Sequence, residues 1–325
     1  MTKKGYMEIS FGWLFAIIAG AAILIFAIFL STKIANTGQS SSSAQAQKQI
    51  GNLLEVFGSS FESAKSGEIG STIETRIYNR CDDFGTFGKQ LLGVTQQSFR
   101  RWPKAPGLSE MSAFQNKYVF SENPVESKKF FVFSKPFETP FKIADLNYIV
   151  SKEKQHCWVD APLRIEKELS NFSVDTFVFK KNVLECPAES LKICFSQGNC
   201  DIQISYSSAG DYSLGTVEKN KEITYFYSDS LMYAGIFSSK EVYECNLKRI
   251  LSRANSLTKI YLRKSNLNSY LLCENAEFIL TLDEFQKLLT DFADSSDFNK
   301  QEGIVKTSEK LKRFDELEQE QCKLW

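Results

Sequence analysis

The first hydrophobic feature of the chain is an apolar run near the N-terminus, Phe11–Ser31, which contains no charged residue. A bilayer core about 30 Å thick needs about 20 helical residues to cross it, and this run supplies them. A cleavable signal typically has an apolar core of about 7–15 residues that ends at a small-residue cleavage site. The nearest Ala-x-Ala pattern, Ala44–Ala46, lies well beyond the run, so the pattern favours a retained membrane anchor.

A polar spacer and an amphipathic stretch follow the anchor. Residues 35–49 are rich in Ser and Gln and are typical of a flexible or weakly helical linker. The stretch after it has apolar residues at helical spacing and ends near Ser66: Ile50, Leu53, Leu54, Phe57 and Phe61. We expect this stalk helix to pack on the domain that follows or on a partner stalk.

Residues from about Glu68 to Phe237 have the pattern of β-strands. Short runs rich in Phe, Tyr and Val are separated by turns with Gly, Pro, Asn, Ser or Lys. The runs are TRIYNRC, NKYVF, KKFFVFSKPF, DLNYIVS, HCWVD, DTFVFKK, LKICFS, DIQISY and EITYFY. Several strands this close together indicate an antiparallel sheet or sandwich rather than a parallel α/β core.

One pair of these runs also predicts a disulfide. The segment LKICFSQGNCDIQISY is typical of a hairpin that turns at Gly198–Asn199, with Cys194 and Cys200 on its two strands. Opposed residues of an antiparallel pair have Cβ atoms about 4.5–5.5 Å apart, close to the range of a disulfide. A Cys194–Cys200 bond would fix the register there, and Cys186–Cys194 is the alternative pairing.

The segment Ser238–Trp325 has helical periodicity. Ser238 with Glu241, and Thr281 with Glu284, have the spacing of capping boxes. The apolar positions of three predicted helices are Leu247, Ile250, Leu251, Ala254, Leu257 and Tyr261 in the first, Phe285, Leu288, Leu289 and Phe292 in the second, and Leu311, Phe314 and Leu317 in the third.

Together these patterns predict an α+β chain with a single N-terminal transmembrane helix, a mainly antiparallel β ectodomain and a C-terminal helical portion. Its parts are a leader and anchor at 1–33, a spacer and stalk helix at 34–67, a β-rich ectodomain at 68–237 and the helical portion at 238–325.

The cysteines indicate the compartment. Lys3 and Lys4 precede the anchor and only Lys33 follows it closely, which slightly favours a cytoplasmic N-terminus. All eight cysteines lie after the anchor, without a Cys-x-x-Cys pair: Cys81, Cys157, Cys186, Cys194, Cys200, Cys245, Cys273 and Cys322. An even number scattered in this way favours disulfides in an oxidising space over a zinc site. We therefore expect a cell-membrane protein with a cytoplasmic N-terminus and its bulk outside.

The charge is balanced, with 39 basic and 39 acidic residues. The anchor segment holds Lys3, Lys4, Lys33 and Glu8, which leaves 36 basic and 38 acidic residues after it, a net charge of −2. A nearly neutral ectodomain argues against nucleic acid or anionic lipid as its main partner.

No motif of catalysis or cofactor binding is present. The chain has one histidine, His156, which excludes a His-clustered metal site, and neighbours in a strand such as His156 and Cys157 point to opposite faces. Acids such as Asp82, Asp83 and Asp160 could converge in space, but their spacing does not favour it. We expect no catalytic, cofactor-binding or metal site. Asn171 begins a lone Asn-x-Ser sequon, a glycan site in an exported protein and otherwise an ordinary loop residue.

The segment before the anchor, Lys3-Lys4-Gly5-Tyr6-Met7-Glu8-Ile9-Ser10, resembles the class III signal of archaeal type IV pilin-like proteins. The resemblance covers about the first 35 residues. It implies cleavage between Gly5 and Tyr6 by a prepilin peptidase, and a role for the acidic Glu8 close to the new N-terminus in assembly.

The anchor itself carries small residues on one side. Gly12, Ala16 and Gly20 recur every four residues, and such a stripe lets another helix approach closely in lipid. Small residues are also common in membrane helices without any partner. The expected contacts of the anchor are membrane lipid and either a second copy or other pilin-like subunits.

Two functions follow from this pattern. The first is a pilin-like or cell-surface assembly subunit that is held by lateral contacts of its anchor. The second is a membrane-tethered binding protein, a receptor or adhesin, for which the anchor is only a tether. A third function, an extracytoplasmic hydrolase, is retained as a hypothesis only because a catalytic site made of carboxylates has no sequence signature of its own.

Overall fold

The computed structural model of the protein describes residues 12–31, 48, 50–52, 65–98, 100–172, 174–209, 212–268, 276–295, 301–317 and 323–325. Helix α1, Gly12–Ser31, is long and apolar enough to cross a membrane, and none of its residues is buried. This finding agrees with the predicted apolar helix. Ile50, the first position of the predicted stalk, is helical and buried, and the other four apolar stalk positions lie outside the described residues.

The described residues after α1 form two sheets of six strands each. The strands are β1 Lys65–Asp82, β2 Lys89–Gln96, β3 Ser112–Phe114, β4 Tyr118–Phe120, β5 Val125–Glu138, β6 Lys142–Ser151, β7 His156–Val159, β8 Phe177–Lys180, β9 Leu191–Cys194, β10 Ile202–Ala209, β11 Tyr212–Lys219 and β12 Glu222–Phe226. The first sheet has the order β3-β2-β1-β5-β6-β4, and the second has the order β12-β11-β10-β9-β7-β8.

Each of the nine runs predicted as strands overlaps a strand, although several runs extend beyond the strand ends, whereas β2, β3 and β11 were missed. A glycine interrupts the β pattern of two of the missed strands. A side chain at either glycine would clash with neighbouring atoms, so the sheets require glycine at both positions. A Cβ at Gly93 in β2 would lie 2.6 Å from Pro106, and a Cβ at Gly215 in β11 would lie 1.8 Å from the carbonyl oxygen of Ser205. These glycines mark close approaches within the sheets rather than the ends of strands.

Most strand pairs among the described residues are antiparallel, as predicted, at six of the ten, but both sheets are mixed and neither is purely antiparallel. Parallel pairs join β4 to β6, β7 to β8, β7 to β9 and β9 to β10. Helix α2, Leu163–Asn171, connects β7 to β8 and makes the crossover that a parallel pair requires. The pattern analysis missed α2 because the helix is short, with only Ile165 and Leu169 buried.

The prediction that the chain turns at Gly198–Asn199 into an antiparallel hairpin is wrong. Strands β9 and β10 run parallel, with Gln203 opposite Cys194. The antiparallel partner of β10 is β11, with eight residue pairs against two for β9, so the longer ladder determines the pairing. The loop is held instead by side chains: Gln203 donates to the carbonyl of Ser196 at 2.8 Å, and the Asp201 carboxylate accepts from the Lys192 amide at 2.8 Å.

Helix α3, Asp229–Phe237, lies between the two sheets, and all nine of its residues are buried. It contacts β5 and β6 of the first sheet and β11 and β12 of the second. A helix that is apolar on every side is typical of such a central position. The predicted β-rich segment therefore contains two helices, α2 and α3.

Aromatic side chains fill the space around α3. Phe237 lies 5.8 Å from Phe133 of the first sheet and 6.2 Å from Trp158 of the second, measured between ring centroids. Tyr233 lies 6.1 Å from Phe133 and 6.2 Å from Trp158. One helix thus connects the cores of both sheets, and aromatic pairs at these distances contribute beyond their buried area.

The C-terminal segment is helical as predicted, with α4 Lys240–Asn268, α5 Ala276–Ser295 and α6 Gln301–Leu317. The predicted caps are wrong. Ser238 ends α3 by donating to the carbonyl of Ala234, and Ser239 accepts from the amide of Val242 at the start of α4. Thr281 lies inside α5, which begins five residues earlier and so places Thr281 beyond its first turn.

The predicted apolar face of the last helix is only partly right. Leu311 is buried and Phe314 is half-buried, but Leu317 is 84% exposed. The buried positions of α6 include Ile304 and Val305 near its N-terminus, so the packed face begins earlier than the pattern indicates.

Three disulfides connect the described cysteines: Cys81–Cys245, Cys157–Cys186 and Cys194–Cys200. The predicted Cys194–Cys200 bond is confirmed, although the strands beside it are parallel, and the alternative Cys186–Cys194 pairing is excluded. The first bond joins β1 to α4, and the second joins β7 to the segment before β9. The remaining predicted disulfide candidates, Cys273 and Cys322, lie outside the described residues.

The single histidine lies in the core. His156 is 4% exposed, its ring contacts Phe177 and Phe237 edge-on, and its Nδ1 has no hydrogen-bond partner among the residues that the structure describes. Burial lowers the pKa of His156 to about 4, with a further contribution from the charge of Lys154. The neutral imidazole is therefore the form that the fold accepts.

This predicts a loss of stability in acid. The unfolded chain binds a proton at His156 below about pH 6.5, whereas the folded chain binds it only near pH 4, so stability falls as the pH drops through this window. The loss amounts to about 3 kcal/mol at the acid end. Urea unfolding of the full chain in nanodiscs at pH 7 and pH 4.5 measures it, and His156→Phe is expected to reduce the difference between the two values. An equal difference in both proteins would contradict the assignment.

Candidate functional site

A cleft of about 440 Å³ opens at the N-terminal end of α3. Its walls come from the end of β5, from α2, from the start of α3 and from α6. It is lined by six charged side chains, three basic and three acidic: Lys135, Arg164, Lys312, Glu138, Glu168 and Asp229. A cleft where several elements meet and polar groups converge is the usual position for a binding site.

Helix geometry places two of these side chains together. Arg164 and Glu168 are one turn apart on α2 and so lie on the same face of that helix. The start of α3 is set by Ser228, whose Oγ accepts from the amide of Leu231 at 3.2 Å. This cap brings Asp229 into the first turn of the buried helix.

Asp229 is the centre of the first polar cluster. Its side chain is 8% exposed and forms an ion pair with Arg164 at 2.9 Å. The hydroxyl of Ser213 donates to Asp229 Oδ1 at 2.7 Å, and the hydroxyl of Tyr206 donates to it at 3.1 Å. Burial disfavours the charged guanidinium, but Asp229 and Tyr206 together outweigh this effect, and the pKa of Arg164 is raised above its ordinary value. The negative charge of the carboxylate also interacts favourably with the positive partial charge at the start of α3.

Glu168 is the centre of the second cluster. It forms an ion pair with Lys135, and its Oε2 accepts from the hydroxyl of Tyr233 at 3.0 Å. Burial raises the pKa of Tyr233 well above its ordinary value, so the hydroxyl keeps its proton and remains a donor. Tyr148, beside it, donates to the carbonyl of Ser230 at 2.7 Å. Each of the two carboxylates thus has a cation and at least one hydroxyl as partners.

The arrangement favours binding over proton transfer. Both inner carboxylates already accept hydrogen bonds from protein groups, and basic and acidic side chains are equal in number around the cleft. Such a surface suits a small polar molecule that presents donors and acceptors together, such as a zwitterion or a polyhydroxylated compound.

A second cavity, of about 180 Å³, lies at the other end of α3. Lys219 in its wall donates to the carbonyls of Ile236 and Ser238 at 3.2 and 3.4 Å and lies 3.5 Å from a carboxylate oxygen of Glu122. Burial lowers the pKa of Lys219. A cation on the last carbonyls of a helix is a stabilising cap, so this lysine is used by the fold.

The structure does not bring the predicted acids into the cleft. Asp82 lies 3.6 Å from Lys89, Asp83 lies 4.0 Å from Lys248, and Asp160 follows β7 with a φ of 52°. The acids of the cleft were missed in the sequence analysis. The four-residue spacing of Arg164 and Glu168, and the Ser-Asp pair at 228–229, were the available signals.

The other predicted site residues lie apart from the cleft. Gly12, Ala16 and Gly20 are exposed on α1, and a Cβ at either glycine would have no atom within 4 Å. Asn171 is exposed at the end of α2, and the serine of its sequon lies outside the described residues. Gly5, Tyr6 and Glu8 also lie outside them.

Within the described part of the chain, no group of three or more His, Cys, Asp or Glu side chains is placed to hold a metal ion. No protein-family model matches the chain, and no similar chain was found among curated proteins or among solved structures.

The Asp229 cluster predicts a measurable contribution to stability. Asp229→Asn keeps an acceptor but removes the charge that faces Arg164 and the start of α3, and we expect a loss of about 1–3 kcal/mol. Arg164 is 44% exposed and can be rehydrated, so a larger loss is not expected. Urea unfolding measures the change.

The matched control is Glu126→Gln. Glu126 pairs with Arg76 at 2.9 Å, but both side chains are exposed to solvent, at 44% and 27%, so removal of its charge is expected to cost less than about 1 kcal/mol. Equal effects of the two substitutions would show that Asp229 has no special role.

Proposed function

We propose that the protein is a membrane-anchored extracytoplasmic protein, with α1 as its anchor and the disulfide-bonded part outside. The observation that carries this proposal is the exposure of α1, which presents apolar side chains on every side over 20 residues and is not covered by any described residue. In water such a surface would be strongly unfavourable, whereas in lipid it is the expected one. Three disulfides in the folded part support an oxidising compartment.

Within this class, the function that we favour is a pilin-like or cell-surface assembly subunit. The resemblance of residues 3–10 to a class III signal supports it, and so does the open stripe of Gly12, Ala16 and Gly20. A neighbouring helix could approach α1 closely along this stripe, because no side chain stands in the way.

The resemblance predicts the mature N-terminus. If a prepilin peptidase removes the leader, mass spectrometry of the protein from native membranes will find a chain that starts at Tyr6. A native chain that still begins at Met1 or Thr2 would contradict processing and leave a simple signal anchor.

The stripe predicts an effect of bulk on association. Ala16→Leu and Gly20→Leu are expected to weaken self-association or partner association in a membrane reporter assay, because a larger side chain separates the helices. Ala22→Leu is the matched control, since residue 22 lies about 200° from residue 20 around the helix.

Insertion should be the same for all three variants, as measured by resistance to alkaline extraction. If Ala22→Leu weakens association as much as Ala16→Leu does, the stripe is not a contact surface.

A second candidate function is a tethered binding protein, and the charged cleft favours it. Glycine and glucose, tested separately, carry the donors and acceptors that the cleft suits, and either is expected to raise the Tm of the full chain saturably. Glu138→Gln, an exposed cleft residue at the end of β5, should reduce the effect, and Glu126→Gln on the same strand should not. If neither compound raises the Tm, this second function is contradicted.

A further inference from the structure

The charged lining of the cleft at the start of α3 is only partly used by the fold. Two of its ion pairs are internal, since Asp229 pairs with Arg164 and Glu168 pairs with Lys135. Glu138 is different, because its carboxylate is exposed and has no hydrogen-bond or ion-pair partner among the residues that the structure describes. One negative charge of the cleft is therefore left for a ligand.

Arg164 keeps donors that no described protein group uses. One of its nitrogens, Nη2, lies 2.6 Å from the hydroxyl of Tyr206 and 2.9 Å from both carboxylate oxygens of Asp229. Its Nε and Nη1 have no partner in the described part of the chain, and the side chain is 44% exposed. Lys312 of α6 adds a second positive charge to the lining. The cleft thus offers a ligand a cation with unused N–H groups and a bare carboxylate.

These two groups come from different elements. Arg164 lies in the first turn of α2, and Glu138 ends β5, directly after a register shift between Phe137 and Glu138 in the pairing with β6. Such an irregularity changes the direction of the side chain that follows it. Lys135 and Glu138 therefore both line the cleft, although an odd spacing puts side chains on opposite faces of a regular strand. The ion pair of Lys135 with Glu168 joins β5 to α2.

We propose that the cleft binds an amino acid, with its carboxylate on Arg164 and its ammonium group on Glu138. The inference deepens the second candidate function, a tethered binding protein, and rests on it. A ligand with both charges gives each group a partner, whereas an anion alone would be repelled by Glu138 and a cation alone by Arg164. A polyol would leave both charges without a counter-charge. Pro136 and Pro140 in the lining are apolar and suit a short aliphatic side chain.

Isothermal titration calorimetry of the full chain in nanodiscs tests the proposal with four probes. Glycine carries both charges, glycinamide lacks the carboxylate, N-acetylglycine lacks the ammonium group, and glucose is uncharged. We expect glycine to bind saturably and glucose to give no saturable heat. Glycinamide and N-acetylglycine should each bind about fivefold more weakly than glycine, the change expected for the loss of one partly exposed ion pair.

Two variants assign the groups. Glu138→Gln should bring the affinities for glycine and N-acetylglycine to within about twofold of each other, because the carboxylate that distinguishes them is gone. Arg164→Lys keeps a cation for Asp229 but removes the unused N–H groups, so glycine and N-acetylglycine should both bind more weakly and glycinamide should not. Glu126→Gln, on the same strand as Glu138 but outside the cleft, is the matched control and should keep the wild-type order.

Saturable binding of glucose without binding of glycine would overturn this proposal and leave the tethered binding protein in place. No saturable heat from any of the four probes would contradict that function itself. The proposal is also overturned if the wild-type protein binds N-acetylglycine or glycinamide as tightly as glycine, or if Glu126→Gln changes the order as Glu138→Gln does. The comparison of the four probes on the wild-type protein needs no variant, so the test remains decisive if Arg164→Lys does not fold.

Discussion

The structure depends on the burial of α3 between two sheets. A buried helix has unpaired amides at its start and unpaired carbonyls at its end, and water cannot satisfy them. Asp229 lies in the first turn of α3, and Lys219 reaches the last carbonyls, so a charge of the appropriate sign stands at each end. These charges need partners of their own because they are largely removed from water. Arg164 pairs with Asp229, and Glu122 lies beside Lys219.

This requirement accounts for the position of both cavities. The cleft at the start of α3 is lined by Asp229 and Arg164, and the smaller cavity at its end is lined by Lys219 and Glu122. Polar residues therefore converge at these two places for a structural reason. A ligand in the cleft would use groups that the fold already holds in fixed positions, which lowers the entropic cost of binding.

The parts of the fold that could be predicted are those with a local signal. The apolar length of α1, the β-rich runs and the helical spacing in α4 were sufficient for those elements. Helix α3 could not be recognised, because its sequence DSLMYAGIF is apolar on all sides and has no helical period to detect. The parallel pairing of β9 with β10 could not be recognised either, since it depends on the distant partner β11.

The candidate site was beyond prediction for a related reason. Lys135, Arg164 and Asp229 come from three elements that are far apart in the chain, and only the tertiary fold brings them to one cleft. The disulfides show both outcomes. The Cys194–Cys200 link was predicted correctly, but from an antiparallel hairpin that the structure does not have, whereas Cys81–Cys245 spans 164 residues and depends on the packing of α4 against β1.

The central claim is that the folded part lies in an oxidising compartment and is arranged around α3 as described. Peptide mapping without reduction, on protein taken from native membranes with thiols blocked at lysis, tests both halves together. The account predicts linked peptides for Cys81–Cys245, Cys157–Cys186 and Cys194–Cys200. Blocked free thiols at these six cysteines would contradict the compartment, and a Cys186–Cys194 link would contradict the fold.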